Sequence, residues 1–586
     1  MKKILVLLFL FFFSNSYSNY STPGTGVKWD LDSLVAYSLG NVTMSGSNYM
    51  INDTINISAG DTVSVLNNAT MKLAQGVFVD IFGVLIINPP DSVLITAQDT
   101  TLKYLGLKFE DLSDGSLLKK VIMEYGNSIR MLDCSFLIDS CTIRYNTQNS
   151  SFATGAISFF RSNSVVSNCK IFRNRRAAFV SGANIASSPQ ILNNLILEND
   201  VDNANTPQIN FGATGPDPMI IRGNTIIGLY VMSGGISFLP VGSIPKAIIE
   251  DNIIKKNRYG IAVAGGSSNF YINNNIIDSN NIQGSPTLGG SGINFNGTAT
   301  QSSIVTRNVI RGNLWGITIQ GTAKPNMGDL TSADTTDVGL NEIYNNGNSG
   351  KTFDLFNNTI APVFAENNYW GTGIVDSVEK HIFHNADSTV LGVVDYLPLR
   401  SIILNLNVGM EGLVRSTGRM GRTDTVTVYL RDTAAPYAIL DSAKGPVDTV
   451  NYFGQFAFTA ALSNYYYIVV KHFNSIEIWS KAGGESLVSN SAITNPFSFI
   501  TDASQAYGNN LILTRTRYCM YSGDINQDGF VDNTDLIAIT NDVNDFVSGI
   551  RLATDLTGDD FVDTRDLIRC YNNSSVFAKV ESPLTK

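Results

Sequence analysis

Cysteine, histidine and charge are all scarce in this chain, and each shortage narrows what it can be. Five Cys in 586 residues are too few for a disulfide-framed scaffold. The three His residues, at 381, 384 and 472, all lie beyond the long repetitive stretch, which therefore has no imidazole for acid–base work. Charged residues make up 15%, against the roughly 25% usual in soluble domains. The net charge is −10 and Lys and Arg form no cluster, so nucleic acid and anionic membranes are poor partners. After Phe13 no apolar run is long enough to span a bilayer.

Other residues are plentiful. Apolar residues reach 44%, aromatics 10%, and there are 50 Gly among many Asn, a balance that fits a β-rich extracellular chain. The length predicts several domains. Met1-Lys2-Lys3, the ten apolar residues Ile4–Phe13 and the small polar residues after them predict a secretory signal peptide over 1–18, cut near Ser18. The mature chain is expected outside the cell, free or at its surface, with no membrane span.

From about Lys120 to Trp370 one phrase recurs: a polar residue, any residue, Ile, and often Asn three further on. It reads Cys141-Thr-Ile-Arg-Tyr-Asn146, Cys169-Lys-Ile-Phe-Arg-Asn174, Asn194-Leu-Ile-Leu-Glu-Asn199, Asn224-Thr-Ile226, Asn252-Ile-Ile-Lys-Lys-Asn257, Asn275-Ile-Ile-Asp-Ser-Asn280, Asn308-Val-Ile-Arg-Gly-Asn313 and Asn341-Glu-Ile-Tyr-Asn-Asn346. Successive starts lie 23 to 33 residues apart, a solenoid period. A second strand accompanies it, as in Gly155-Ala-Ile-Ser-Phe159, Gly235-Ile-Ser-Phe238, Gly292-Ile-Asn-Phe295 and Gly316-Ile-Thr-Ile319. Each coil buries its apolar face only by stacking on the next. About ten coils at ~4.8 Å each predict a rod on the order of 50 Å long. The phrase-initial Asn is expected to take the left-handed turn conformation and to ladder its amide from coil to coil. Cys141 and Cys169 share that position and should stack as small buried residues; Cys519 and Cys570 bracket the last segment and could pair, leaving Cys134 odd.

The opening runs Ile55–Gly60, Val63–Leu66, Phe78–Ile81 and Gly83–Ile87 resemble the first coils of secreted right-handed parallel β-helix proteins. Glu366-Asn-Asn-Tyr-Trp-Gly371 resembles the terminal coil of such bacterial proteins, with Trp370 as a structural cap. Residues 19–400 are thus expected to form the β-helix. Over 401–517, strands such as Ile402–Val408, Thr425–Leu430 and Tyr465–His472 predict a small antiparallel sandwich. It resembles immunoglobulin-like or prealbumin-like spacers, and His472 and Trp479 are expected to serve packing.

Residues 518–586 carry the sharpest chemical signal. Asp524, Asn526, Asp528, Asp532 and Asp535 fall at loop positions 1, 3, 5, 9 and 12, with the Phe530 carbonyl at 7 and Gly529 at the tight turn. Calcium takes six to eight oxygens in this order. A second copy presents Asp555, Thr557, Asp559, the Phe561 carbonyl, Asp563 and Asp566, with Asp560 in place of the glycine and a weaker site as the consequence. Two such loops, each opening a short helix (536–543 and 567–572), resemble the type I dockerin module. The resemblance implies two Ca2+ ions and a cohesin-like partner, usually in polysaccharide-degrading assemblies. Positions 10 and 11 depart from the family, reading Asn533-Thr534 and Thr564-Arg565, and Asn541–Asp545 lacks the expected basic residues. Docking and a calcium-stabilised end cap both remain open.

Two functional classes follow. In one, the β-helix is a non-catalytic arm that binds glycan or another extracellular macromolecule. In the other it is a polysaccharide lyase or glycoside hydrolase. The coils lack the Asn-Thr-Asp, Asp-Asp, Gly-His-Gly and Arg-Ile-Lys strings of polygalacturonase-like enzymes, so no catalytic residue is assigned. A lyase would draw on the outward candidates Arg222, Glu250, Lys255, Lys256, Arg258, Arg307 and Arg311, provided they converge on one face.

Overall fold

A computed structural model describes residues 19–147, 155–242, 244–489 and 494–585. The expected signal peptide at 1–18 lies outside them. The chain divides into two units, one of residues 1–365 with 379–395 and one of residues 366–378 with 396–586. Among the described residues no helix is long and apolar enough to cross a membrane.

The first unit is a solenoid whose coils stack into sheets of 14, 13 and 11 strands. Coil-to-coil pairing is parallel, and the repeated phrase sets its register. Ile143, Ile171, Ile196, Ile226, Ile254, Ile277, Ile310 and Ile343 pair in one column of the 13-stranded sheet. All eight are fully buried. Because side chains alternate across a strand, a three-residue strand centred on Ile puts that residue inside and its neighbours outside. Phenylalanines meet inside the solenoid: Phe211 and Phe238 pair in one column of the 14-stranded sheet, with ring centroids 6.4 Å apart, and Phe270 of the 11-stranded sheet packs on Phe238 at 4.6 Å.

Asparagine amides run along two corners of the solenoid. Along the series Asn194, Asn224, Asn252, Asn275, Asn308 and Asn341, each member after the first offers Oδ1 to both the backbone N–H and the Nδ2 of the one before it, at 2.9–3.1 Å. Cys141 and Cys169 extend this ladder with sulfur as acceptor, the Cys141 N–H donating to Cys169 Sγ at 3.3 Å. Both thiols are free and buried, as are Cys134, Cys519 and Cys570. A second ladder runs through Asn257, Asn280, Asn313 and Asn346 and ends on the buried Asp354 carboxylate.

Contrary to the sequence expectation, the corners do not turn at the phrase-initial Asn. The left-handed residue at each corner is not the ladder Asn but the residue before it: Ser140, Asn168, Asn193, Gly223, Asp251, Asn274, Arg307 and Leu340, with φ between 53° and 70°. The chain turns one residue early, so that the Asn side chain points inward and is free to bond along the stack. A short helix, Leu31–Tyr37, was not legible in the repeat. Asp30 caps it by accepting the Ser33 N–H, and it buries Leu31 and Leu34. Those two side chains share a small apolar cavity with the first-coil core residues Ile51, Ile55 and Val63. They pack over the core at this end of the described coils.

In the second unit, strands Ile402–Asn407, Phe453–Phe458 and Thr494–Ser498 form one sheet. Asp424–Asp432, Ile439–Val447, Asn464–His472, Ser475–Trp479 and Glu485–Leu487 form another. Both contribute to one apolar core that includes Leu404, Leu406, Val428, Leu430, Phe456 and Ile468. His472 and Trp479 are buried. Trp370 is buried too and falls within this unit. Two helices follow, Asn533–Asn544 and Thr564–Ser575. They start three residues earlier than the apolar pattern implies, because Asp532 and Asp563 are N-caps in complete capping boxes with Asp535 and Asp566.

Candidate functional site

The first acidic loop is drawn around a buried, incompletely satisfied carboxylate. Asp524 is 3% exposed, and its Oδ2 accepts the Gly529 N–H at 3.2 Å. Its Oδ1 is buried without a hydrogen-bond partner. Burial, with Asp535 and Asp528 close by, pushes this carboxyl up to about 7. Asp535 is 1% exposed and accepts the N–H groups of Ile525 at 2.8 Å and Asp532 at 3.0 Å. Asn526 Oδ1 accepts the Asp528 N–H, and its Nδ2 donates to Asp528 Oδ2 at 2.8 Å. Gly529 sits at φ 91°, a conformation that L side chains rarely adopt. Among the described residues no ion pair reaches Asp524, Asp528, Asp532 or Asp535; Lys471 borders the same recess of about 320 Å³ without forming one.

The donor set fits calcium. It is all oxygen, it follows the calcium-loop order, and it holds an orphaned buried carboxylate oxygen that a cation would satisfy. Among the described residues no three Asp, Glu, His or Cys side chains alone converge tightly enough to hold a metal ion. The set depends on Asn526 and the Phe530 carbonyl as well as on the carboxylates.

The second loop has the same scaffold and different electrostatics. Asp555 is fully buried and accepts the N–H groups of Gly558 at 2.7 Å and Asp560 at 2.9 Å. Asp566 accepts the Thr557 N–H at 2.7 Å and the Asp563 N–H at 2.9 Å, and burial raises its carboxyl. Asp560 takes the left-handed conformation, φ 68°, at the position glycine fills in the first loop. Guanidinium groups reach these carboxylates: Arg565 lies 2.6 Å from Asp559 and 2.7 Å from Asp563, and Arg422 lies 3.5 Å from Asp560 and 3.8 Å from Asp555.

On the solenoid, one outward column of the 14-stranded sheet runs Ser237, Ala262, Asn294, Thr318, Phe356, Phe383. Small and polar residues in its first part leave room for a groove of about 380 Å³, walled by Arg258, Tyr259, Trp315 and Phe356. The Trp315 ring packs on Phe353 and Phe356, with centroids at 4.7 and 4.9 Å, and its Nε1 donates to the Pro286 carbonyl at 3.0 Å. Asn294 Nδ2 donates to Thr318 Oγ1 at 2.6 Å. Arg258 donates to Asn205 Oδ1 and to the Leu288 carbonyl, while its Nε is buried without a partner. The Tyr259 phenol, raised by burial, lies so close to Gly234 that a Cβ there would sit 2.2 Å from Cζ.

Of the outward charges singled out from the sequence, only Arg258 borders this groove. Arg222 pairs with Glu250 on the 11-stranded sheet. Lys255 and Arg311 both pair with Asp278 on the 13-stranded one. Lys256 and Arg307 occupy left-handed corner positions. The seven candidates therefore do not converge. Sequence reasoning missed Tyr259 and Trp315, because unequal insertions between coils, not the repeat, bring them together.

The family described as right handed beta helix region matches residues 106–277. No curated protein matches the chain. Among solved structures, the periplasmic alginate epimerase AlgG is similar over 63% of this chain and 83% of its own, at 13% identity and a TM-score of 0.30. The A-module of the Azotobacter vinelandii mannuronan C-5 epimerase AlgE6 is similar over 47% of this chain and 83% of its own, at 12% identity and a TM-score of 0.16. A type II cohesin–X-dockerin complex from Acetivibrio cellulolyticus is similar over 30% of this chain and 99% of its own, at 14% identity and a TM-score of 0.18. Residues 106–277 are thus a right-handed β-helix region within a longer parallel solenoid.

Proposed function

We propose that this is a secreted, polysaccharide-associated modular protein. Its β-helix binds an acidic glycan in the outer groove, and an immunoglobulin-like sandwich follows as a spacer. The C-terminal dockerin-like loop pair takes calcium, for stability or for docking a cohesin-like partner. The observation that carries the glycan reading is the groove itself. An aromatic face at Trp315 offers a stacking platform for a sugar ring, Asn294 and Thr318 offer hydroxyl-directed hydrogen bonds, and Arg258 supplies one positive charge for a carboxylate. Arg258 is the only ionised group among the lining residues, which favours binding over acid–base turnover. The calcium reading rests on Asp524, whose orphaned Oδ1 asks for a cation.

Affinity electrophoresis against uronic-acid and neutral polysaccharides tests the glycan reading. The protein should be retarded by the acidic polymers, and Trp315→Ala should abolish the retardation; equal mobility in all gels would sink it. One observation favours a second reading, a lyase: the Tyr259 hydroxyl and the Arg258 guanidinium line the same groove, a proton-transfer group and a charge neutraliser. Ultraviolet absorbance of unsaturated products from the same polymers decides between the two.

A further inference from the structure

The two acidic loops share a ligand order, yet only one has cationic side chains among its ligands. Among the described residues, the four carboxylates of the first loop meet only N–H donors, and one buried oxygen meets no partner. In the second loop three of the four carboxylates at ligand positions contact a guanidinium. Arg565 does most of this. It bridges Asp559 and Asp563, loop positions 5 and 9, and its Nε also donates to both Asp563 oxygens at 2.9 and 3.1 Å. The first loop has Thr534 at the equivalent position.

Resting on the calcium reading of the loops, we infer that Arg565 is an internal competitor for the second calcium site. A calcium ion needs the same oxygens on Asp559 and Asp563 that the guanidinium holds, so the second loop fills only as Arg565 swings away. Arg422 adds a second, fixed cation behind Asp555 and Asp560. The two sites are therefore unequal: the first binds calcium tightly, the second weakly. The Arg565 side chain is 57% exposed, so its departure costs no packing and its hold weakens with salt. Exposed pairs of this kind set the gap attributable to Arg565 at about tenfold in affinity. When the second site fills, the guanidinium is released at the start of the second helix.

Calorimetric titration of the full chain with calcium tests this. Wild type should give two unequal events. Arg565→Gln should tighten the weak one by about tenfold and leave the tight one unchanged, and Arg565→Lys should fall between. Asp524→Asn should remove the tight event only. Added sodium chloride should narrow the gap in wild type and have less effect in Arg565→Gln. Two equal events in wild type, or a weak event that Arg565→Gln leaves unchanged or abolishes, would overturn the inference while leaving the calcium reading intact. No calcium heat in wild type and in Arg565→Gln would overturn the calcium reading itself, and the inference with it.

Discussion

Replacing Asn275 by Ala tests whether the amide ladder holds the solenoid together. Its Nδ2 donates to Asn308 Oδ1 at 2.9 Å, the Ile249 carbonyl at 2.8 Å and the Asn273 carbonyl at 3.0 Å. Its Oδ1 accepts the Asn252 N–H at 3.1 Å and Asn252 Nδ2 at 2.9 Å. Alanine removes all five bonds and leaves the Asn252 N–H with no other side-chain acceptor in a buried corner. Asn252 Nδ2 keeps two carbonyls, and Asn308 Oδ1 keeps the Asn275 N–H. One orphaned N–H at about 1–3 kcal/mol and roughly 1 kcal/mol for each of two or three uncompensated bonds give about 3–6 kcal/mol. A chain of this size with two units does not melt as one transition, so the effect is best read coil by coil. Amide hydrogen exchange across residues 250–310 should accelerate by a factor on the order of 10² to 10⁴, while the second unit is unchanged. Asn296→Ala, on the outer face, should move exchange by less than about threefold. Acceleration of Asn275→Ala by less than tenfold would refute the ladder as a structural support and leave the corner to its left-handed residue alone.

Free calcium at a hundredfold excess over its Kd should raise the stability of the second unit by about 2.7 kcal/mol per site, and chelation should reverse it. Asp524→Asn should lose most of that gain in a melting scan. Gly234→Ala brings a Cβ within 2.2 Å of the Tyr259 ring, and displacing the ring should cost about 1–3 kcal/mol in stability or in glycan affinity. A variant that melts and binds as wild type would show that the ring moves freely. Burial pushes Asp200 up to about 6 from its ordinary 3.8. A carboxyl raised in the fold contributes stability below pH 4 that is lost as pH rises through 6. Unfolding of the first unit between pH 4 and 7 should therefore lose this slope in Asp200→Asn.

How far the sequence could be read depends on whether a feature repeats. The Ile column and the Asn ladders are legible because each coil places the same residue in the same spot, so the pattern averages over eight coils. The left-handed corner is misplaced by one residue for the converse reason. Its occupants, from Ser140 to Leu340, share a conformation and no chemistry, so nothing in the phrase marks them. The Leu31–Tyr37 helix occurs once, and its task of covering the first coil is a tertiary demand. The groove depends on the adjacent Arg258 and Tyr259 of one coil and on Trp315 two coils further on, with an insertion between them. In the acidic loops the ligand order is local and readable. The Arg565 bridge spans only a few residues, but a side chain's choice among carboxylates is not written in spacing, and Arg422 arrives from more than a hundred residues away.

Tryptophan fluorescence gives the most direct test of the groove as a glycan site. Trp29, Trp370 and Trp479 are 8%, 0% and 1% exposed, so Trp315, partly exposed at the groove wall, is the indole positioned to report a ligand. Titration of the full chain with a uronic-acid oligosaccharide should give a saturable change that vanishes in Trp315→Phe and weakens in Arg258→Gln. No saturable change at millimolar oligosaccharide, or a change that survives in Trp315→Phe, would contradict the account.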